Sequence, residues 1–344
     1  MKTHICIIGA GPAGLAAAIF SARQGVSTIV LEANAFAGRK LLMTGGGRCN
    51  LTHQIEPDKF VILLGKMGRF LSYAIYEYSP RYICDFFAGI SVKTKTEKDG
   101  CIFPASYKAE QVRDSLVKEA ERHNVRFLYN NHVVEIVKES SGFLIKTSRQ
   151  QIRSEKVIIA TGGISWPQTG SKGDGYRFAK HLGHSIIEPR AALVPLVTKE
   201  KWPGELSGTS IDNVKISTNL NRKKISVQGA LVFTDNGFGG PAAQDMSRHL
   251  ADFLPATKKT VQITLDLAPD SRTEQIEERI IRLIKENPKK KIVNMLSDIL
   301  PRRLALVVFN LGGYDSGTFA GQLTKETRRK IIHTIKSITL SILR

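Results

Sequence analysis

Cysteine is scarce in this sequence. The 344 residues include four, Cys6, Cys49, Cys84 and Cys101, and none stands close to another. That spacing excludes a disulfide framework, a structural zinc site and a Cys-x-x-C redox centre, and it sets the expectation of a reduced, cytoplasmic setting. Acid is short as well: 31 Asp and Glu face 50 Lys and Arg, a formal charge of +19. The basic residues fall in scattered clusters, Arg222-Lys223-Lys224, Lys289-Lys290-Lys291, Arg302-Arg303 and Arg328-Arg329-Lys330. No aromatics interleave with them as a base-stacking platform requires, so they read as a solvated basic surface and not as a specific nucleic-acid site. A long apolar run is missing too. Ile5 to Ala22 is free of charge, but Gly9, Gly11, Pro12 and Gly14 break it where a membrane span should be continuous.

What is present suffices for an ordinary core, with 42% hydrophobic and 24% charged residues. The length favours two domains. Thr3 to Ile8 reads as a short buried strand, and Gly9-Ala10-Gly11-Pro12-Ala13-Gly14 then matches G-x-G-x-x-G. An alanine-rich helix over Leu15 to Gln24 stops at Gly25, and a second strand over Ser27 to Leu31 ends at Glu32.

Each part of this unit has a physical task. Gly9 permits the tight turn, Gly11 lets the backbone approach a pyrophosphate, and Gly14 lets the helix pack close on the strand. The helix N-terminus offers free N–H groups and partial positive charge to phosphate. Glu32 stands about 20 residues downstream, where an acid accepts hydrogen bonds from an adenosine ribose. An acid there disfavours a 2′-phosphate, so FAD or NAD fits better than NADP.

The next segment favours FAD. Gly38-Arg39-Lys40 opens a loop that runs through Thr44-Gly45-Gly46-Gly47-Arg48-Cys49-Asn50-Leu51-Thr52. Consecutive glycines flanked by Arg39, Lys40 and Arg48 can form an anion-holding nest of backbone N–H groups. A plain NAD domain does not need such a loop after its second strand.

Further along, Phe60 to Tyr78 and Lys108 to His123 have helical patterns. His132 to Val137, Phe143 to Thr147 and Gln151 to Arg153 read as a β-meander, and Lys156 to Ala160 as a separate buried strand entering Thr161-Gly162-Gly163. After Pro189 the texture changes: Leu193 to Phe233 is β-rich and Arg272 to Leu300 is mainly helical around Pro288, so Pro189 to Gly321 reads as a second domain inserted into the first. Gly237 to Ala242 fits G-x-G-x-x-A, but the preceding strand reads as half of a hairpin and no acid follows at the required spacing. His181 and His184 share a helix end without a third ligand, so no metal site is expected. Cys49 has no partner cysteine nearby, which argues against disulfide-reductase chemistry.

Gly9 to Gly14, Glu32, Thr44 to Thr52 and Ala160-Thr161-Gly162-Gly163 together resemble the BaiN-like flavoproteins, also labelled aminoacetone oxidases. These are a branch of the two-dinucleotide-binding-domain flavoproteins. The likeness continues through Gly100 to Ala109, Ser165 to His184, Ala192 to Leu196, Leu231 to Ala242, Leu265 to Asp270 and Leu300 to Leu304. It implies an α/β fold: a Rossmann-like FAD-binding domain over 1–188 with its β-meander, and a β-rich and helical cap inserted over 189–321.

The resemblance also implies a cofactor set. Gly9, Gly11, Pro12, Ala13 and Gly14 hold the pyrophosphate; Glu32 and Ala33 hold the ribose. Gly38, Arg39, Lys40, Thr44, Gly47, Arg48, Cys49, Asn50 and Leu51 surround phosphates and flavin. The backbone at Val134 meets adenine, and Ala160, Thr161 and Gly162 pass beside the cofactor. The activity implied is flavin-mediated hydride or electron-pair transfer on a small organic substrate, with NAD(P)H as candidate reductant. No catalytic acid or base is assigned.

Members of that family continue with a further strand, a glycine-rich turn and a Gly-Gly-Tyr-Asn stretch that closes over the cofactor. Here residues 322–344 read as the shortened start of that return. Ile331, Ile335, Ile338 and Ile342 stand at helix-like spacing among basic residues. The expectation is weak or absent FAD binding by this polypeptide alone. The alternatives are a non-catalytic relative acting as a basic interaction protein, and a basic amphipathic tail that docks on acidic membrane.

Overall fold

A computed structural model describes residues 1–251, 253–254, 260–314 and 317–343. Arg344, the last residue of the expected return segment, lies outside the described residues. The chain divides into two compact units, Met1–Ile187 and Glu188–Arg344.

The first unit is built on β1 (Lys2–Ile8), α1 (Pro12–Arg23) and β2 (Thr28–Leu31). Next come β3 (Thr52–His53), helices α2 (Pro57–Leu63), α3 (Gly68–Glu77) and α4 (Pro80–Gly89), and strands β4 (Thr94–Thr96) and β5 (Cys101–Pro104). Helix α5 (Ala109–Arg122), strands β6 (Arg126–Leu128), β7 (Val133–Glu139), β8 (Gly142–Thr147) and β9 (Gln151–Ile159), and α6 (Asp174–His181) complete it. The main sheet has the order β6-β2-β1-β9-β8-β7. Its β6, β2, β1 and β9 run parallel, and β7, β8 and β9 form the antiparallel meander.

Strand β9 joins what the sequence divides. Gln151 to Arg153 and Lys156 to Ala160 read as separate strands around Ser154-Glu155, yet they form one strand, paired with β8 at its start and parallel to β1 along its length. The helical stretch Phe60 to Tyr78 is broken, with Gly65 at φ +59° between α2 and α3.

Alternation along β1 explains why both faces of the sheet are covered. Ile7 packs with Leu15, Ile19 and Val30 under α1 and α5, while Cys6 and Ile8 point to the other face with Ile29, Leu31, Ile145 and Phe178. A parallel strand buried on both faces needs a continuous apolar run, which His4 to Ile8 supplies after its first residue. Fully burying each such side chain contributes about 1.5–3 kcal/mol.

The second unit has strands β10 (Leu196–Val197), β11 (Ser210–Leu220), β12 (Lys223–Thr234), β13 (Gly237–Gly239), β14 (Val261–Asp266) and β15 (Ile338–Ile342), ordered β10-β13-β12-β11-β14-β15. Its ends meet. The Lys199 N–H donates to the Ser341 carbonyl at 2.8 Å, and the Leu343 N–H donates to the Val197 carbonyl at 2.8 Å. An antiparallel bridge between Thr198 and Ile342 lies between these two bonds, so β10 and β15 close the sheet on itself. Asn221 and Arg222, both at positive φ, make the tight turn between β11 and β12.

Residues 322–343 are part of this unit. Helix Lys325–Lys336 buries Ile331, Ile332 and Ile335, and β15 pairs with β14 through Ile338 to Ile342. The isoleucines that suggested one amphipathic membrane tail face the core instead, partly on a helix and partly on a strand. Among the described residues no segment after Glu188 rejoins the first sheet. No described helix is long and apolar enough to cross a membrane, and no group of three or more His, Cys, Asp or Glu among the described residues is placed to hold a metal.

Candidate cofactor site

The carboxyl ends of β1, β2 and β9 open onto a cleft of about 590 Å³ within the first unit. Parallel sheets place ligands there because the following loops and helix N-termini converge on that edge. The glycine turn forms its floor. Gly9 sits at φ +103°, and a Cβ there would lie 2.5 Å from the Ala160 carbonyl oxygen. Gly14 is the contact of α1 with that turn: a Cβ would lie 1.9 Å from the Gly9 oxygen. Gly11 is different. It lines the cleft, and a Cβ there would meet no atom within 4 Å, so its missing side chain leaves room on the ligand side.

Helix α1 begins with Gly11 as its cap and Pro12 in the first turn, with no acid in that turn. The first helical bond is from the Leu15 N–H to the Gly11 carbonyl at 2.9 Å, so the Ala13 and Gly14 N–H groups precede it as unused donors at the positive end of the helix.

Glu32 is buried at the end of β2. One carboxylate oxygen accepts the Ala10 N–H at 2.8 Å, and the other accepts the Asn34 N–H at 2.8 Å and the Asn34 side-chain amide at 2.7 Å. A carboxylate offers about four acceptor positions, so acceptor capacity remains for a hydroxyl in the cleft. Beside it, Arg39 donates to the Asn34 Oδ1 at 2.9 Å, and Lys40 donates to the Ser165 carbonyl at 2.7 Å. Neither cation has a carboxylate within ion-pair range among the described residues. The cleft therefore combines backbone donors, two uncommitted positive charges and one oriented acid. That donor set fits an adenosine diphosphate moiety.

Of the residues expected from sequence, Gly9, Gly11, Pro12, Ala13, Glu32, Ala33, Gly38, Arg39, Lys40, Ala160, Thr161 and Gly162 line this cleft. Gly14 supports it from behind. Val134 lies beside it: Val133 lines the wall, the β7–β8 register shifts between Val133 and Glu135, and the Val134 carbonyl accepts from Arg177 at 2.9 Å.

The Thr44–Leu51 loop goes elsewhere. Thr44, Cys49, Asn50 and Leu51 line a second cavity of about 470 Å³, walled by Phe20, Tyr82, Phe86 and Phe87 and sharing Pro12 with the first. Gly45, Gly46 and Gly47 are all at positive φ, as is Cys49 at +62°. Burial pushes the Cys49 thiol up, against a hydrogen bond with Thr44 that lowers it. Arg48 is turned away from both cavities. It pairs with Glu97 at 3.0 Å and stacks over the Phe103 ring at 4.3 Å, so it does not complete the anion nest read from the sequence. Gly47 lines neither cavity.

The remaining wall comes from residues that the sequence reading did not assign. Asn131 and His132 enter from the β6–β7 connection, and Thr169, Ser171, Asp174 and Tyr176 from the segment into α6. His132 Nε2 lies 3.3 Å from Asp174, which ties the two segments together across the cleft. Ser165 to His184 carried the family resemblance, but no local pattern shows which of its side chains face a ligand.

Comparison with known proteins bears on this arrangement. The model of the HI0933-like protein Rossmann domain matches residues 3–338. The chain is 29% identical over 343 residues to the 3-dehydro-bile acid delta(4,6)-reductase of Clostridium scindens, covering 98% of this chain and 82% of that protein. It is 30% identical over 305 residues to the ribosomal RNA dihydrouridine synthase of Haemophilus influenzae, covering 87% and 72%. The Escherichia coli ribosomal RNA dihydrouridine synthase is 29% identical over 310 residues, covering 89% and 73%.

Proposed function

Because the chain belongs to the HI0933-like Rossmann-domain family, we propose that it is an FAD-dependent reductase acting on a carbon–carbon double bond conjugated to a carbonyl, with NAD(P)H as reductant. One observation carries the cofactor assignment: the glycine turn, the α1 N-terminus and Glu32 line a single cleft, and a Cβ at Gly11, which also lines it, would meet no heavy atom within 4 Å. The Ala13 and Gly14 N–H groups would hold the diphosphate with the charges of Arg39 and Lys40, and Glu32 would accept a ribose hydroxyl. Thr44, Cys49, Asn50 and Leu51 are assigned to the flavin end, Val134 to the adenine end, and Arg48 is left out. When bound, the flavin supplies hydride or electron-pair transfer. The chain's own part is to orient it and to keep water from its ring.

The reaction class draws support from the names of the relatives, since each denotes saturation of a ring double bond next to a carbonyl. A small organic enone is the primary reading. The excess of 50 basic over 31 acidic residues, together with relatives named for ribosomal RNA, favours a second: a uracil ring within RNA. Anaerobic mixing of the FAD-loaded protein with NADH or NADPH tests the reading. Bleaching of the long-wavelength flavin band is expected, with recovery on adding a steroid dienone or, for the second reading, a ribosomal RNA transcript. No bleaching by either nicotinamide would overturn the assignment of reductant, and bleaching without recovery on either acceptor would overturn that of substrate.

A further inference from the structure

The helices α2 and α3 pack closely on each other, yet the outer surface of the hairpin is left open. Gly68 packs against α2 so closely that a Cβ would lie 2.0 Å from the Val61 carbonyl oxygen, and the Tyr76 hydroxyl bonds to Asp58 across the pair. Helix α2 nevertheless buries none of its residues, and α3 buries only Gly68 and Ile75. The side chains left exposed are large and apolar: Ile62 at 74%, Leu63 at 65%, Met67 at 58%, Phe70 at 80% and Tyr73 at 79%. Patches of this kind mark interaction sites.

Charge along the hairpin identifies the partner. Between Phe60 and Tyr76 every charged residue in the sequence is basic, whereas Glu56, Asp58 and Glu77 stand where the hairpin begins and ends. Exposed apolar side chains therefore share the outer part of the hairpin with Arg69, and the acids, with Lys59, stand at the base. We propose that this outer part docks on an anionic phospholipid bilayer, its aliphatic residues and Phe70 entering the acyl boundary, Tyr73 at headgroup level and Arg69 on lipid phosphates. A second copy is a poorer occupant, because a twofold contact would set like charges against each other. RNA would use aromatic stacking and Arg69 but leave Ile62, Leu63 and Met67 without a role.

Sedimentation of the full chain with vesicles tests this. Wild type should partition at least ~10-fold more strongly onto phosphatidylcholine vesicles containing a third phosphatidylglycerol than onto phosphatidylcholine alone. The Leu63→Ser/Phe70→Ser double variant should lose at least ~10-fold of that binding with unchanged circular dichroism and Tm, and Arg69→Glu should lose the preference for anionic lipid. Absence of wild-type binding, or equal binding by the double variant, overturns the proposal. So does a wild-type dimer in light scattering that the double variant splits while neither binds vesicles, which assigns the surface to a second copy. Loss of vesicle binding on adding RNA, with the double variant defective for RNA alone, overturns it in favour of nucleic acid.

Discussion

The Glu32 carboxylate accepts the backbone N–H of Ala10 at 2.8 Å, across 22 residues of sequence. This bond joins the end of β2 to the glycine turn that follows β1. It fixes the acid before any ligand arrives, and the Asn34 donors hold the other oxygen. Orientation is set by backbone amides and not by rotamer preference alone, so the acid loses little entropy on binding a hydroxyl.

Glu32→Gln replaces one oxygen by an amide that faces an N–H donor and cannot accept from it. One buried hydrogen bond is lost and a donor is left unpaired, at a cost of about 2 kcal/mol. Thermal unfolding should show a lowered Tm, and titration with FAD or ADP should show about a tenfold loss of affinity.

Gly14→Ala tests the packing behind the cleft. Its methyl would overlap the Gly9 carbonyl, and neither partner is a flexible side chain, so α1 must move off the turn. We expect destabilisation of about 3 kcal/mol, read as a fall in the denaturant midpoint, whether or not a ligand is present.

Glu119 predicts a pH dependence. Burial pushes its carboxyl up, but the hydrogen bond from Arg23 at 2.6 Å and the charges of Arg122 and Arg23 outweigh that and hold it below the ordinary glutamate value. A depressed folded-state pKa contributes stability above the unfolded value, and that stability disappears as pH falls through the folded one. Acidification below the ordinary glutamate range should therefore destabilise wild type more than Glu119→Gln. At neutral pH the variant should cost about 1–2 kcal/mol, since Arg23 is partly exposed and can regain water. Urea titrations across acid pH check both.

Much of the first unit is legible locally. The β1–α1–β2 unit is punctuated by Gly9, Pro12 and Gly25 and carries its own apolar periodicity, so its elements and its cleft-lining residues follow from neighbours in sequence. What fails is set by distant partners. Arg48 looks like a phosphate ligand beside three glycines, but Glu97 and Phe103 claim it. Ile338 and Ile342 continue a helical spacing, but pairing with β14 makes them a strand. Asn131, His132 and Asp174 reach the cleft only through the way β7 and α6 are placed, which leaves no local trace.

The most direct test of the account is FAD binding by Gly11→Val beside wild type, followed by calorimetric titration with ADP as the smaller probe. A Cβ at Gly11 would meet no heavy atom within 4 Å and the backbone lies at φ −75°, so the variant should fold with a Tm close to that of wild type. The account predicts a loss of affinity of at least ~100-fold for both ligands, since the branched side chain would occupy the diphosphate position. Equal affinity of the two proteins would contradict it.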